Sequence, residues 1–285
     1  MKLYLASTEN AKHCEVVMSH WTQIALTTYY SIKNKPDHLK DYAKKFGFKS
    51  YFLDSWAFGA WTRKESLDVV KYGEYIKRNL KYIDIYANLD DRDSERITEK
   101  NFNYLKWIWL KPLPVWSLYD WNFKRLRELL DEHDYIAIGS IVKTDGKKDT
   151  LQLKMKKMFQ IAFSYWKNPD GSMKKKFHWF GITMVEFLID FPWFSVDSTT
   201  RVWWARFWII HIWDWKKIVL VQAKDHKKIL QNWNNIPKEL RDMDLIMDKP
   251  WKLNYINRQK ISADCFKKIE AHCTKLWKLR GIFYT

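Results

Sequence analysis

An α/β fold, with eight parallel strands closed into a (β/α)8 TIM barrel and a short basic C-terminal extension, is predicted by three observations. Short β-branched or aromatic runs recur eight times in the first 200 residues. Each ends in polar residues and gives way to a stretch with helical period. No hairpin signal interrupts these alternations, which argues for parallel strands joined by right-handed crossovers. An open doubly wound sheet is the runner-up, but it usually has fewer strands per domain.

The strands are expected at residues 2–5, 24–28, 51–54, 82–87, 112–116, 134–138, 176–180 and 193–196. Between them, apolar residues recur at helical spacing. Val69, Gly73, Ile76 and Leu80 form one stripe; Leu151, Met155, Met158, Ala162 and Trp166 form another. Thr98 with Asn101, and Thr183 with Glu186, are candidate helix starts. After residue 200 the pattern changes. Residues 202–213 and 218–221 read as extra strands, a hairpin turning at 214–217. A basic helix over 261–279 follows, with Cys265, Ile269, Leu276 and Leu279 on one face. The expected organisation is a barrel core over 1–200, with residues 201–285 packing on it or completing it.

Composition narrows the class. A hydrophobic fraction of 47% supports a sizeable core, and no run of about 18 uncharged apolar residues is present. The N-terminal stretch turns polar after five residues, unlike a signal peptide, so a cytoplasmic protein is expected. Cys14, Cys265 and Cys273 are too few and too scattered for a disulfide framework or a four-cysteine metal site. Net charge is +17, and residues 201–285 carry 18 Lys+Arg against 8 Asp+Glu. Such a basic third suits a polyanion, while a lysine-rich solvated surface explains the charge equally well.

In a barrel of this kind the chemistry belongs at the C-terminal strand ends. Those ends carry Asp54, Asp90, Gly139 with Ser140, His178 and Asp197. A lone strand-end Asp is more often a cap or turn residue. Three from separate strands, converging on one rim, shift the balance toward a site.

These segments resemble a known family. The run Phe52-Leu-Asp-Ser-Trp-Ala-Phe58 is similar to the Asp-Ser-Gly-Gly-Phe/Tyr motif of the tRNA-guanine transglycosylases. Tyr135-Ile-Ala-Ile-Gly-Ser140 resembles their Tyr-Ala-Val-Gly-Gly segment, and Phe177-His-Trp-Phe-Gly-Ile182 their Met-Gly-Val-Gly stretch. Phe194-Ser-Val-Asp-Ser198 resembles the segment holding their nucleophilic aspartate. The order holds over about residues 50–200, and the phage-type members that handle 7-deazaguanine bases match it best in style. The resemblance implies Asp197 as nucleophile and Asp54 as general acid/base. It implies Asp90, with the backbone at Gly139 and Ser140, as reader of the base's polar edge, and Phe58 and His178 as the rings that sandwich it. The implied reaction exchanges guanine for a 7-deazaguanine in DNA or tRNA, with no cofactor. The chemistry itself needs such a set: an oxocarbenium-like centre captured by one carboxylate, and a second group to protonate the leaving base. A flipped nucleotide also needs an aromatic pocket and a basic surround.

The departures matter as much. The tRNA enzymes hold zinc with three cysteines and a histidine near their C-terminus, whereas Cys265, His272 and Cys273 lack that spacing, so no zinc is expected. There are 18 Trp and only 8 Gly, where average usage would give roughly 20 glycines. Trp56, Trp109, Trp179, Trp204, Trp208 and Trp215 all fall where the resemblance or the turn chemistry calls for glycine. Lysine outnumbers arginine 39 to 11, as A/T-rich coding favours. UGA codons meaning glycine, rendered as tryptophan, would account for the excess; a remodelled, inactive site is the alternative. Two other functions therefore stand beside the transglycosylase: a catalytically inactive nucleic-acid-binding barrel, and an N-glycoside hydrolase.

Overall fold

The computed structural model describes residues 1–18, 24–56, 59–60, 63–91, 94–117, 122–139, 148–164, 170, 172–181, 184–241 and 254–284. It is an α/β protein built on parallel sheets. The strands are β1 (Lys2–Leu5), β2 (Ile24–Thr28), β3 (Ser50–Asp54), β4 (Ile83–Tyr86), β5 (Val115–Ser117), β6 (Tyr135–Gly139), β7 (Ser172–Met173), β8 (Lys176–Trp179), β9 (Ser195–Ser198), β10 (Ile209–Trp213), β11 (Ile218–Gln222) and β12 (Phe283–Tyr284). The helices are α1 (Ala11–Met18), α2 (Tyr29–Ile32), α3 (His38–Phe46), α4 (Val69–Asn79), α5 (Glu95–Trp107), α6 (Phe123–Glu132), α7 (Lys148–Ser164), α8 (Val185–Asp190), α9 (Thr200–Arg206), α10 (His226–Gln231) and α11 (Tyr255–Leu279). All eight expected strands are present, shifted by three residues or fewer at either end.

Hydrogen bonding joins the strands as β1-β9-β8-β6-β5 and as β2-β3-β4, every pair parallel. The two sheets meet where Ala87 bridges Leu113, with Asn88 N–H on Leu113 O at 2.8 Å and Leu113 N–H on Tyr86 O at 2.8 Å. One face of the strands contributes Tyr4, Leu26, Phe52, Ala87, Val115 and Ala137 to a single apolar cluster. The opposite face packs against the helices in a larger cluster, as a sheet buried on both sides requires.

Local signals explain the helices. Asp68 caps α4 by accepting the N–H groups of Val70 and Lys71, and the buried stripe is Tyr72, Gly73, Tyr75 and Ile76. Leu80 leaves that stripe: it opens a 3₁₀ turn and is 48% exposed. Gly73 lets α5 approach, since a Cβ there would lie 2.6 Å from Ile108 Cδ1. In α7, Met155, Met158 and Ala162 are buried as expected; Leu151 and Trp166 lie outside the described side chains. Two start signals differ. Ser94, not Thr98, caps α5, and Thr98 sits inside that helix with its hydroxyl turned to the Asp91 and Ser94 carbonyls. Thr183 lies outside the described residues, and α8 begins after Met184 with no side-chain cap.

The largest correction lies beyond residue 200. Residues 202–213 are not one strand: Thr200–Arg206 is helical and the strand begins at Ile209. Aromatic β-formers masked a helical pattern in which Val202 and Ala205 face inward. The hairpin is real, pairing Trp213 with Ile218 across the 214–217 loop. Helix α11 starts six residues earlier than expected, capped by Asn254, and buries Cys265, Phe266, Ile269 and Cys273 in the main core. Leu276 is half-buried and Leu279 is 76% exposed, so the expected stripe fades at its end. All three cysteines are free and buried. Among the described residues no helix is long and apolar enough to cross a membrane.

Candidate active site

Asp54 is the last residue of β3, where the chain leaves the strand. Its carboxylate accepts the backbone N–H groups of Ser55 and Trp56. Burial lifts its pKa well above the ordinary carboxylate value, and the charges of Asp197 and Asp90 raise it further. The three carboxylates, from the ends of β3, β4 and β9, are thus close enough to feel one another.

Asp90 lies four residues past β4. Ser55 Oγ donates to it at 3.3 Å. Burial pushes its pKa up to about 6, against the pull of its own backbone N–H and of Ser55. Gly139, at the end of β6, makes room for it. A Cβ there would stand 3.2 Å from Asp90 Oδ2 and 2.8 Å from Val115 Cγ1. The sequence paired Asp90 with Gly139 as readers of one edge, and the two do adjoin. Ser140 and Phe58, the other expected ligand contacts, lie outside the described residues.

Asp197 sits within β9, opposite Tyr4 of β1, and is 6% exposed. Gly181 N–H donates to its Oδ1 at 2.8 Å. His178 Nε2 stands 3.4 Å from the same oxygen, without good hydrogen-bond alignment. His178 Nδ1 is 2.7 Å from Ser195 Oγ, and Ser195 Oγ is 2.6 Å from the Tyr135 hydroxyl. Burial lowers the histidine's pKa, with Asp197 opposing. A neutral imidazole with its proton on Nε2 gives a consistent chain: Tyr135 O–H to Ser195, Ser195 O–H to Nδ1, and Nε2–H toward Asp197. That tautomer is assigned from the network.

His178, expected as one of the rings that sandwich the base, is fully buried, 4.6 Å from both Phe52 and Phe180. Its Nε2 edge faces Asp197. Sequence reasoning missed Gly181, Ser195, Tyr135 and Ser55. Only Gly181 left a signal, a glycine in a glycine-poor chain, and it adopts φ 67°. It also missed Arg201, fully buried and donating to Ala6 O at 2.7 Å beside the end of β1. Burial lowers its pKa to about 10.

Among the described residues no group of His, Cys, Asp and Glu side chains has the geometry of a metal site. The arrangement brings together three carboxyl groups: Asp54, whose pKa burial raises well above the ordinary value, Asp90, raised to about 6, and Asp197, held by Gly181 N–H beside His178. Compared with known proteins, the chain matches no protein-family model and no curated sequence.

Proposed function

We propose that the chain is a base-exchanging transglycosylase acting on nucleic acid, replacing guanine by a 7-deazaguanine through a covalent aspartyl intermediate, on a closed (β/α)8 barrel. The observation that carries the reading is the contrast between Asp54 and Asp197. Burial, and after it the charges of Asp197 and Asp90, raise the pKa of Asp54 and favour its protonated form, while Gly181 N–H and the His178 ring brace Asp197. A carboxyl whose surroundings favour its protonated form, beside a second one held in place, is what acid-assisted glycosyl transfer needs.

In the first step a carboxylate oxygen of Asp197 bonds to the ribosyl C1′ as the C1′–N bond breaks. The departing guanine keeps that electron pair and takes the proton from Asp54. In the second step the incoming base gives its N–H proton to the Asp54 carboxylate, bonds to C1′, and expels Asp197. Asp90, beside Gly139, accepts N–H donors from the base edge. The residues of the His178 chain position Asp197 and touch no substrate.

Closure is supported by contacts between strands of different sheets. The Phe52 ring of β3 lies 4.6 Å from His178 of β8, and Tyr4 of β1 meets Phe52 edge-on at 5.4 Å. Thr8, just past β1, donates its hydroxyl to Leu26 O of β2 at 2.9 Å. An open sheet would hold β3 and β8 far apart. The functional test is incorporation of labelled guanine into DNA or tRNA. Incorporation supports exchange. Release of free base without incorporation makes the chain a hydrolase, and no reaction with retained binding makes it a binding module.

A further inference from the structure

We infer that residues 56, 109, 208 and 215, tryptophan in this chain, are glycine positions of the fold, encoded by UGA triplets that its source decodes as glycine. Among the described residues six non-glycines have left-handed backbone: Ser7, Trp56, Lys64, Trp109, Trp208 and Trp215. Tryptophan thus takes four of those six places while filling 18 of 285 overall. A Cβ crowds the following carbonyl in this region, and the non-glycines that tolerate it are Asn and Asp, whose short polar side chains bond locally. An indole has no such compensation.

Each position is one that glycine ordinarily fills. Trp109 follows α5 at φ 67°, with its N–H on Lys106 O at 2.9 Å and Leu110 N–H on Leu105 O at 3.0 Å. That is the Schellman ending of a helix, whose left-handed residue is usually glycine. The chain supplies its own control at the end of α11. There Gly281, at φ 75°, puts its N–H on Lys278 O at 3.1 Å, and Ile282 N–H reaches Trp277 O at 2.9 Å. Trp208, at φ 60°, takes the same place after α9, its N–H 3.4 Å from Ala205 O. Trp215, at φ 72°, is the one left-handed residue of the 214–217 loop between β10 and β11, a conformation that glycine adopts without steric cost. Packing does not explain the indoles at 109 and 215, which are 92% and 61% exposed; Trp208, 42% exposed, lies under the Arg258 guanidinium at 4.1 Å, so the backbone alone argues for glycine there. Trp179 and Trp204, also expected to be glycines, have ordinary strand and helix backbone and are not assigned.

Position 56 brings the inference to the site. Its φ is 51°, and its N–H is held by Asp54. The indole lies flat over Gly59, where a Cβ would be 2.4 Å from the ring. It sits 5.4 Å from the Tyr30 ring and 5.1 Å from the Arg63 guanidinium. With glycine at 56 that space becomes a slot beside Asp54, walled by Tyr30 and Arg63 and shaped for a planar heteroaromatic ring. The ligand assignment alone rests on the transglycosylase reading; the glycine assignment does not.

The test has two arms. The source gene is sequenced at the four codons, and W56G, W109G, W208G and W215G are each melted beside the parent. The expected result is UGA at all four, with Tm rising by about 2–4 °C per relieved position, most cleanly at 109 and 215. UGG codons there, or a falling Tm for W109G and W215G, overturns the inference. Calorimetric titration of W56G with 7-deazaguanine should show binding that the parent lacks. A stabilised W56G that binds none leaves the glycine assignment standing and sinks the transglycosylase reading of the slot.

Discussion

The carboxyl of Asp54 is buried beside two others, which makes its ionisation costly. Its pKa is raised in the folded chain, so the stability it contributes is full below its unfolded value and declines as pH rises through the folded one. Asp90 behaves alike, losing its contribution between pH 4 and about 6. Asp54→Asn should therefore abolish base release yet raise Tm at pH 8 by a few degrees, measured by calorimetry. A lower Tm would mean that the carboxyl is structural. Exchange should likewise fall on the alkaline side as Asp54 loses its proton. Ser195→Ala tests the chain behind Asp197. Removing one buried hydrogen bond costs about 1–3 kcal/mol, roughly 5- to 150-fold. The loss should appear in kcat with KM unchanged, because Ser195 orients Asp197 and touches no substrate. The aspartates were legible in the sequence because strand ends are. The hydrogen bonds of His178 and Ser195 behind Asp197 were not, since nothing in a linear pattern shows which atoms a buried imidazole meets.

At the scale of elements, β-strands were read well because buried runs ending in polar residues leave a strong local mark. Helix boundaries were read less well, because caps compete: Ser94 outbid Thr98 for the start of α5. Helix α9 was missed for a clearer reason. Three of its seven residues are Val202, Trp203 and Trp204, strand formers by propensity, and helix burial of Val202 and Ala205 overrode them. Helix α11 was recognised as basic, but its lysines are unequal. Lys267 pairs with Glu270, and Lys268 with Asp264 at 2.8 Å, while Lys275 and Lys278 point to solvent. Charge reversal at Lys275 and Lys278 should thus weaken nucleic-acid binding without changing base preference, since phosphate contacts position the substrate and do not read it. Filter binding at several salt concentrations checks this. An unchanged affinity would move the phosphate track elsewhere.

For the whole molecule, eight β–α alternations were enough to foresee an α/β protein with parallel sheets, whereas net charge +17 fits a polyanion partner and a solvated lysine-rich surface equally well. The contacts that argue for closure join residues far apart in sequence, Phe52 with His178 or Thr8 with Leu26, and no local pattern encodes them. Binding to nucleic acid should fall steeply with salt, because the counterions that binding releases gain less on entering a saltier solution. The central claim is the covalent role of Asp197, and intact-protein mass spectrometry after denaturing quench tests it most directly. The chain, with tryptophan or glycine at position 56, is mixed with guanine-containing DNA or tRNA, and the same is done with Asp197→Asn. The account predicts a nucleic-acid adduct on the Asp197 protein and none on the asparagine variant. An adduct of equal yield on Asp197→Asn, or none on either Asp197 form, would contradict it.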